Sequence, residues 1–327
     1  MRSSRAFAAA VAASFLAAPA GEAARKARPP TPTAREVLRS AKSWGYQLQN
    51  IDVGKLARST YDVLVIDAGD GGSGLSRADI ARLKRKSDGA RRLVVAYLNV
   101  GEAEDYRSYW RKDWGAHPPD WLGAENCRWR GDHRVQHWRA EWREILYRGR
   151  GSALARLLGL GVDGVWLDRV DIYYHWLPRR WQAAREMVEL VRELAAAGRA
   201  TNPELLVIPQ NGEELLSEPT YREVIDGIGK EDLLYGDRGS DVANAPERVA
   251  RAERNLAPAR TARLPVLAVE YAREAARRDD AARRLAERGH LAYLGPRSLA
   301  YLGNDGEPHP EDGDSEPLPA DADEACQ

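Results

Sequence analysis

The stretch Gly164-Val165-Trp166-Leu167-Asp168-Arg169-Val170-Asp171 leaves a Leu-Gly-Val-Asp-Gly turn as an apolar run and ends in two carboxylates three residues apart. A short apolar run bounded by a glycine turn reads as a buried strand. An acid at the carboxyl end of such a strand is where an α/β barrel keeps its chemistry. One strand of this kind decides nothing, because apolar runs ending in Asp are common. The reading turns on whether other strands end the same way.

Working outward, they do. Upstream, apolar or alternating runs occupy 44–49, 61–67 and 93–100; downstream they occupy 205–211, 225–232, 264–271 and 290–295. Helical patterns fall between them. Ser76 is placed to cap a helix reaching about Lys86, with Asp79 in its first turn. Trp138, Trp142, Ile145 and Leu146 recur at helical spacing, and further helices are predicted over 153–160, 182–197, 246–255 and 275–288. A short helix also fits 33–40. The segment 106–134, rich in Trp and Pro, shows no period and reads as a large loop over one end of the domain.

Eight short strands, mostly separated by helices and never joined by a hairpin turn, argue for parallel β/α units. Eight is also the number that closes a barrel. An open doubly wound sheet would carry G-x-G-x-x-G after its first strand, and none is present. The expected fold is a single-domain (β/α)8 TIM barrel over residues 41–303.

Composition fits that size. The chain has 327 residues, 43% of them hydrophobic, with 49 basic and 49 acidic side chains. Zero net charge argues against a nucleic-acid partner, which selects a basic excess. Arg2 and Arg5 precede an apolar, Ala-rich stretch and small residues at Ala18-Pro19-Ala20, the pattern of an export signal over 1–23. The run is too short to span a bilayer comfortably. Residues 24–40 read as a basic, Pro-containing linker. Residues 304–327 hold nine acids and no Lys or Arg, the composition of a disordered tail. The expected product is a secreted or periplasmic monomer with no membrane span in its mature form. Cys127 and Cys326 do not make a disulfide framework; a bridge and two free thiols both remain open.

The strand ends supply Asp67, Glu102, Asp168 with Asp171, Glu213, Glu231 and Glu270. In a barrel these would converge on one rim, where like charges cost stability unless the site uses them. Many acids and few histidines suit two chemistries: a divalent cation held by hard oxygen ligands, or glycoside hydrolysis by paired carboxyl groups. Trp44, Tyr46, Tyr97, Tyr235 and Tyr271 lie beside the strand ends with faces suited to sugar rings. Gln47, Gln210 and Asn211 offer amides for hydroxyl groups. A glycosidase accounts for both sets without metal or cofactor. A non-catalytic polysaccharide-binding barrel and a metal-dependent lyase or aldolase are the other readings. His133 and His137 lack the Glu of a zinc-protease helix.

Four segments together, Trp44-Gly45-Tyr46-Gln47-Leu48-Gln49, Gly164 through Asp171, Pro209-Gln210-Asn211-Gly212-Glu213 and Glu231-Asp232-Leu233-Leu234-Tyr235, resemble glycoside-hydrolase family 114. That family comprises secreted (β/α)8 enzymes described as endo-α-1,4-polygalactosaminidases. The resemblance covers about residues 43–297. It implies cleavage of a galactosamine-containing, cationic exopolysaccharide with Asp168 and Glu231 as the catalytic pair. The residues favour the same pair: Asp168 ends the best strand, and Glu231 sits directly at a strand end whereas Glu213 is already in a loop. The other aromatic, amide and acidic residues named above are then substrate-binding, with Asp171 beside Asp168. Carboxyl groups about 5 Å apart would mean retention, and about 6.5–9.5 Å inversion.

Overall fold

The computed structural model of the protein describes residues 32–69 and 74–303. The expected export signal, the first part of the linker, positions 70–73 and the acidic tail with Cys326 lie outside the described residues.

All eight expected strands are present, shorter by a residue or more at their ends: β1 (Trp44–Gln47), β2 (Val63–Ile66), β3 (Leu93–Asn99), β4 (Gly164–Asp168), β5 (Leu206–Pro209), β6 (Ile228–Glu231), β7 (Val266–Glu270) and β8 (Leu291–Leu294). β1 through β5 form one parallel ladder, and β6 through β8 form another. Gln210 bridges to Gly229 between β5 and β6, where Asn211 N–H also donates to Gly229 O at 2.9 Å. Side chains hold the β8–β1 seam: Trp44 Nε1 donates to Leu291 O at 2.8 Å, and Tyr293 Oη to Tyr46 O at 3.0 Å. The architecture is a (β/α)8 barrel.

The strands are apolar on both faces, as parallel strands covered on both sides must be. Alternate residues separate into two clusters. Trp44, Tyr46, Val63, Val65, Val95, Trp166, Ile208, Val269 and Tyr293 fill the barrel interior. Leu64, Ile66, Val94, Ala96, Val165, Leu167 and Val207 face the helices. The interior is largely aromatic, with Trp44 stacked on Trp166 at 5.2 Å and Tyr46 tilted against Trp166 at 5.4 Å. A Cβ added at Gly229 would stand 2.3 Å from Trp166 Cζ2, so glycine is what lets the indole cross to β6.

Ser76 and Asp79 form a capping box on the helix Arg77–Leu83. Thr33 and Glu36 do the same for Ala34–Ser40. Ala34 and Leu38 of that helix are buried in the inner cluster, so the ordered body begins before residue 41. Its last residues belong to the core rather than to a linker.

The expected loop over 106–134 is instead part of a folded insert. Glu102–Glu104, Asp132–Val135 and Leu122–Glu125 pair as an antiparallel sheet, with Asp132–Val135 in the middle. Tryptophans cement it: Trp110 packs on Trp114, Trp114 on Trp121 and Trp121 on Trp142. Strands this short show no legible period, and the packing that fixes them is tertiary. Cys127, in this insert, is disulfide-bonded. Among the described residues no helix is long and apolar enough to cross a membrane.

Candidate active site

Three consecutive strands end in polar side chains that meet: Asp168 closes β4, Gln210 follows β5 and Glu231 closes β6. The residue after each has a positive φ: Arg169 (59°), Asn211 (58°) and Asp232 (51°). Non-glycine residues in this region store strain, and such strain collects at functional sites. Here it turns the chain off the strand directly after the polar residue. Arg169 N–H thereby donates to Asp168 Oδ1 at 2.8 Å, and Glu231 N–H to Asn211 Oδ1 at 3.1 Å.

Gln210 is wired at both ends. Its Oε1 accepts from Trp166 Nε1 at 2.7 Å and Tyr46 Oη at 3.2 Å. Those two bonds fix which end of the amide is nitrogen. Nε2 then donates to Asp168 Oδ1 at 3.0 Å and to Glu231 Oε2 at 3.2 Å. One tyrosine completes each carboxylate: Tyr97 Oη donates to Asp168 Oδ2 at 2.7 Å, and Tyr271 Oη to Glu231 Oε1 at 2.5 Å. The result is an arc across five neighbouring strands, Tyr97–Asp168–Gln210–Glu231–Tyr271.

The arc is electrostatically loaded. Burial first, and then the charge of Glu231, push the Asp168 carboxyl up to about 7, against the hydrogen bond from Tyr97 and the charge of Arg169. Burial, followed by these same carboxylates, holds the Tyr97 and Tyr271 hydroxyls far above their ordinary range. Both tyrosines stay protonated and can only donate to an ionised partner.

A cleft of about 820 Å³ opens on the Glu231 side. Asp171, Asn211, Glu213 and Glu231 line it, as expected. Lys230, Asp232, Tyr174 and Arg297 also line it, and none of them is among the expected site residues. Lys230 Nζ lies 3.2 Å from Glu213 Oε1. Arg297 forks onto Asp232 at 2.9 and 3.0 Å while its guanidinium lies over the Tyr271 ring, 4.5 Å from the centroid. Burial and the neighbouring Glu231 still push Asp232 up to about 6. Arg297 lies far along the chain from Asp232, so only the fold brings them together.

Other expected binding residues support the barrel instead. Trp44 and Tyr46 lie in its interior. The Gln47 amide donates to the carbonyls of Gln49, Asn50 and Ala300. Glu102 is 0% exposed and holds Arg169 at 3.1 Å and Asn126 at 3.0 Å. Glu270, also 0% exposed, accepts the Leu234 and Tyr235 N–H groups and so ties down the turn after β6. Tyr235 donates outward to Asp280 at 2.6 Å. Asp67 is taken by Arg107 at 2.9 Å. Apart from Glu102 Oε2, which is buried without a hydrogen-bond partner, the polar atoms named here already serve the protein, and burial keeps most of them from a ligand. His137 is buried against Ala183 O, and His133 packs on Trp110. Among the described residues no three His, Cys, Asp or Glu side chains are grouped to hold a metal ion.

Residues 21–306 match the glycoside-hydrolase family GH114. An uncharacterized protein of Deinococcus radiodurans is 34% identical over 279 residues, covering 83% of this chain and 85% of that protein. Uncharacterized proteins of Thermotoga maritima and Methanocaldococcus jannaschii are each 37% identical over 59% of this chain, and the matched part spans only 60% and 56% of their own lengths. Among solved structures, the glycoside hydrolase domain of PelA from Pseudomonas aeruginosa aligns with a TM-score of 0.62 at 21% identity, over 81% of this chain and 98% of that one. Aspergillus fumigatus Ega3, in complex with galactosamine, aligns at 0.58 and 18% identity, over 80% and 94%. These two likenesses are of fold.

Proposed function

The chain belongs to glycoside-hydrolase family GH114, and we propose that it is an exported endo-glycosidase of galactosamine-containing polysaccharide acting through Asp168 and Glu231. The observation that carries this reading is the Gln210 amide, whose single nitrogen reaches a carboxylate oxygen of each partner at 3.0 and 3.2 Å. Carboxylate oxygens that share one amide nitrogen at these distances lie no more than about 6.2 Å apart, a spacing that favours the retaining arrangement.

In that mechanism Asp168 is the nucleophile and Glu231 the acid and then the base. Asp168 receives three donors, Tyr97 Oη, Arg169 N–H and Gln210 Nε2. That many donors suit the charged form of the group. Glu231 receives two side-chain donors and stands on the wall of the cleft. These roles require Glu231 to carry the proton and Asp168 the charge when substrate is attacked. With substrate bound, Glu231 gives that proton to the glycosidic oxygen as Asp168 bonds to the anomeric carbon and the C–O bond breaks. Glu231 then takes a proton from water, which displaces Asp168 from the same carbon. The cleft lining carries six acidic and five basic side chains, and its carboxylates offer partners to a polymer bearing free ammonium groups. The basic and apolar amino-terminal stretch supports export.

The test is incubation of the protein with partly deacetylated α-1,4-linked galactosamine polymer, reading reducing ends and oligosaccharide size. Release of short oligosaccharides is expected. Binding of the polymer without any release would instead support a non-catalytic binding barrel and end the hydrolase reading.

A further inference from the structure

The inserted sheet ends beside the arc, and one carboxylate there has no counterpart. Asp132 stands directly opposite Glu104 in the antiparallel register, so their side chains share a face. Its acidic neighbours Glu104, Asp67 and Glu102 already have cationic partners. Arg107 forks onto Glu104 at 2.8 and 3.0 Å and also takes Asp67 at 2.9 Å. Arg169 and Asn126 hold Glu102. Asp132, half-buried, receives no hydrogen bond or ion pair at its carboxylate among the described residues. Burial pushes it up to about 8, with Glu104, Glu102 and Asp168 adding to the effect and the charge of Arg107 opposing it.

A different observation points to what fills the place. Asp105 N–H donates to Gly131 O at 2.8 Å and joins two segments that carry exposed aromatic rings, Tyr106 at 51% and Trp129 at 53%. Large aromatic rings left this open on a folded insert mark a contact surface. Arg128, next to Trp129, lines the cleft, so this turn reaches the site. Tyr106 is anchored by its hydroxyl to Glu104 Oε1 at 2.5 Å and by Arg107 over its ring, which leaves the other face free for a ligand.

We propose that this end of the inserted sheet is a glycosyl subsite for a cationic hexosamine residue, with Trp129 and Tyr106 offering faces to the ring and the Asp132 carboxylate taking its ammonium group. The proposal rests on the reading of the cleft as a polysaccharide site, and it makes the insert the element that selects deacetylated over acetylated polymer. A free amine supplies the charge that Asp132 lacks; an N-acetyl group does not.

The test compares the full chain with Asp132→Asn and Trp129→Ala on α-1,4-linked galactosamine polymer, either chemically deacetylated or fully N-acetylated. In Asp132→Asn the ratio of kcat/KM on the deacetylated polymer to that on the acetylated one is expected to fall about tenfold, the usual size of a charge-assisted hydrogen bond. In Trp129→Ala both values should fall while the ratio holds. A wild-type ratio retained in Asp132→Asn overturns the proposal. If the wild-type protein cleaves neither polymer, the hydrolase reading has failed separately. Calorimetric titration with deacetylated oligosaccharide then decides the subsite: equal affinity in wild type and Asp132→Asn overturns it, and an affinity about tenfold weaker in the variant upholds it.

Discussion

The two ends of the barrel use the same side chain in opposite ways. At the amino-terminal end, Asp62, Asp163 and Asp226 stand just before β2, β4 and β6. Each accepts a backbone N–H, from Lys42, Val94 and Val207 respectively, and each meets at least one cation: Lys86 for Asp62, Lys84 and Arg91 for Asp163, Arg35 and Arg199 for Asp226. At the other end Asp168 and Glu231 receive only uncharged donors: two tyrosines, one glutamine and the backbone. Burial pushes Asp62 up, but the bonds from Lys86 and Lys42 N–H outweigh it and leave the group below its ordinary range. Asp168 is left at about 7. One end neutralises its charge and gains rigidity; the other keeps its charge available. Stability residues at the bottom and chemistry at the top is the division this fold uses generally.

The sharpest way to break that contrast is to remove a charge at each end. Asp168→Asn and Glu231→Gln should lower kcat on galactosamine polymer by at least about a thousandfold, with the thermal midpoint no lower than that of the wild type. Full activity in either variant would remove that residue from the mechanism. Asp226→Asn should do the reverse. It leaves Arg35 and Arg199 facing a neutral amide and weakens the Val207 tie, and it should cost about 3 kcal/mol in denaturant unfolding. The specific activity of the fraction still folded should hold. A variant of Asp226 that unfolds normally but loses activity would show that the bottom of the barrel acts on the site.

Much of the top was legible in the residues and much of its support was not. The strands were readable because parallel strands are continuous apolar runs, and four members of the arc lie at or directly after strand ends, where the barrel rule looks for them, with Tyr97 two residues inside the end of β3. Glu102 and Glu270 obey the same rule and are buried supports. A strand-end acid turns into the cleft or into the protein according to partners such as Arg169 or the Leu234 N–H, which lie elsewhere in the chain. The Arg297–Asp232 fork is likewise a product of closure. The insert was the largest surprise. Its strands are short, and its order comes from Trp–Trp packing between segments that sequence alone does not place together.

A smaller effect sharpens the contrast at a single atom. Tyr97→Phe removes one neutral donor from Asp168 Oδ2 and leaves the rest of the arc intact. The lost bond is one that lowers the Asp168 pKa, so that pKa should rise further. An Asp168 harder to ionise is a poorer nucleophile at low pH. The expected outcome is kcat reduced about 10- to 100-fold, with the acidic limb of its pH profile moved to higher pH. If kcat falls without any movement of the profile, Tyr97 acts on the substrate rather than on Asp168.

The smallest predicted effect is a gain in stability at the top of the barrel. Asp168 has a folded pKa of about 7, raised above its value in the unfolded chain. A carboxyl group raised in this way binds its proton more tightly in the folded state, so it costs nothing below the unfolded pKa of about 3.9. As pH climbs from there to about 7 the cost accrues, because the unfolded chain ionises freely and the folded one resists. Above about 7 the penalty is complete. Asp168→Asn removes the ionisation altogether and should therefore stabilise the protein by about 1–2 kcal/mol at pH 8. At pH 4 the same substitution should gain little. Asp62 runs the other way: its depressed pKa contributes stability above about pH 4 that is lost as pH falls through its folded value. Urea unfolding of wild type, Asp168→Asn and Asp62→Asn at pH 4 and pH 8 measures both signs together. An Asp168→Asn variant no more stable than wild type at pH 8 would show that its neighbours compensate the charge fully. The charge at the catalytic end would then be neutralised as completely as that of the salt-bridged acids at the other.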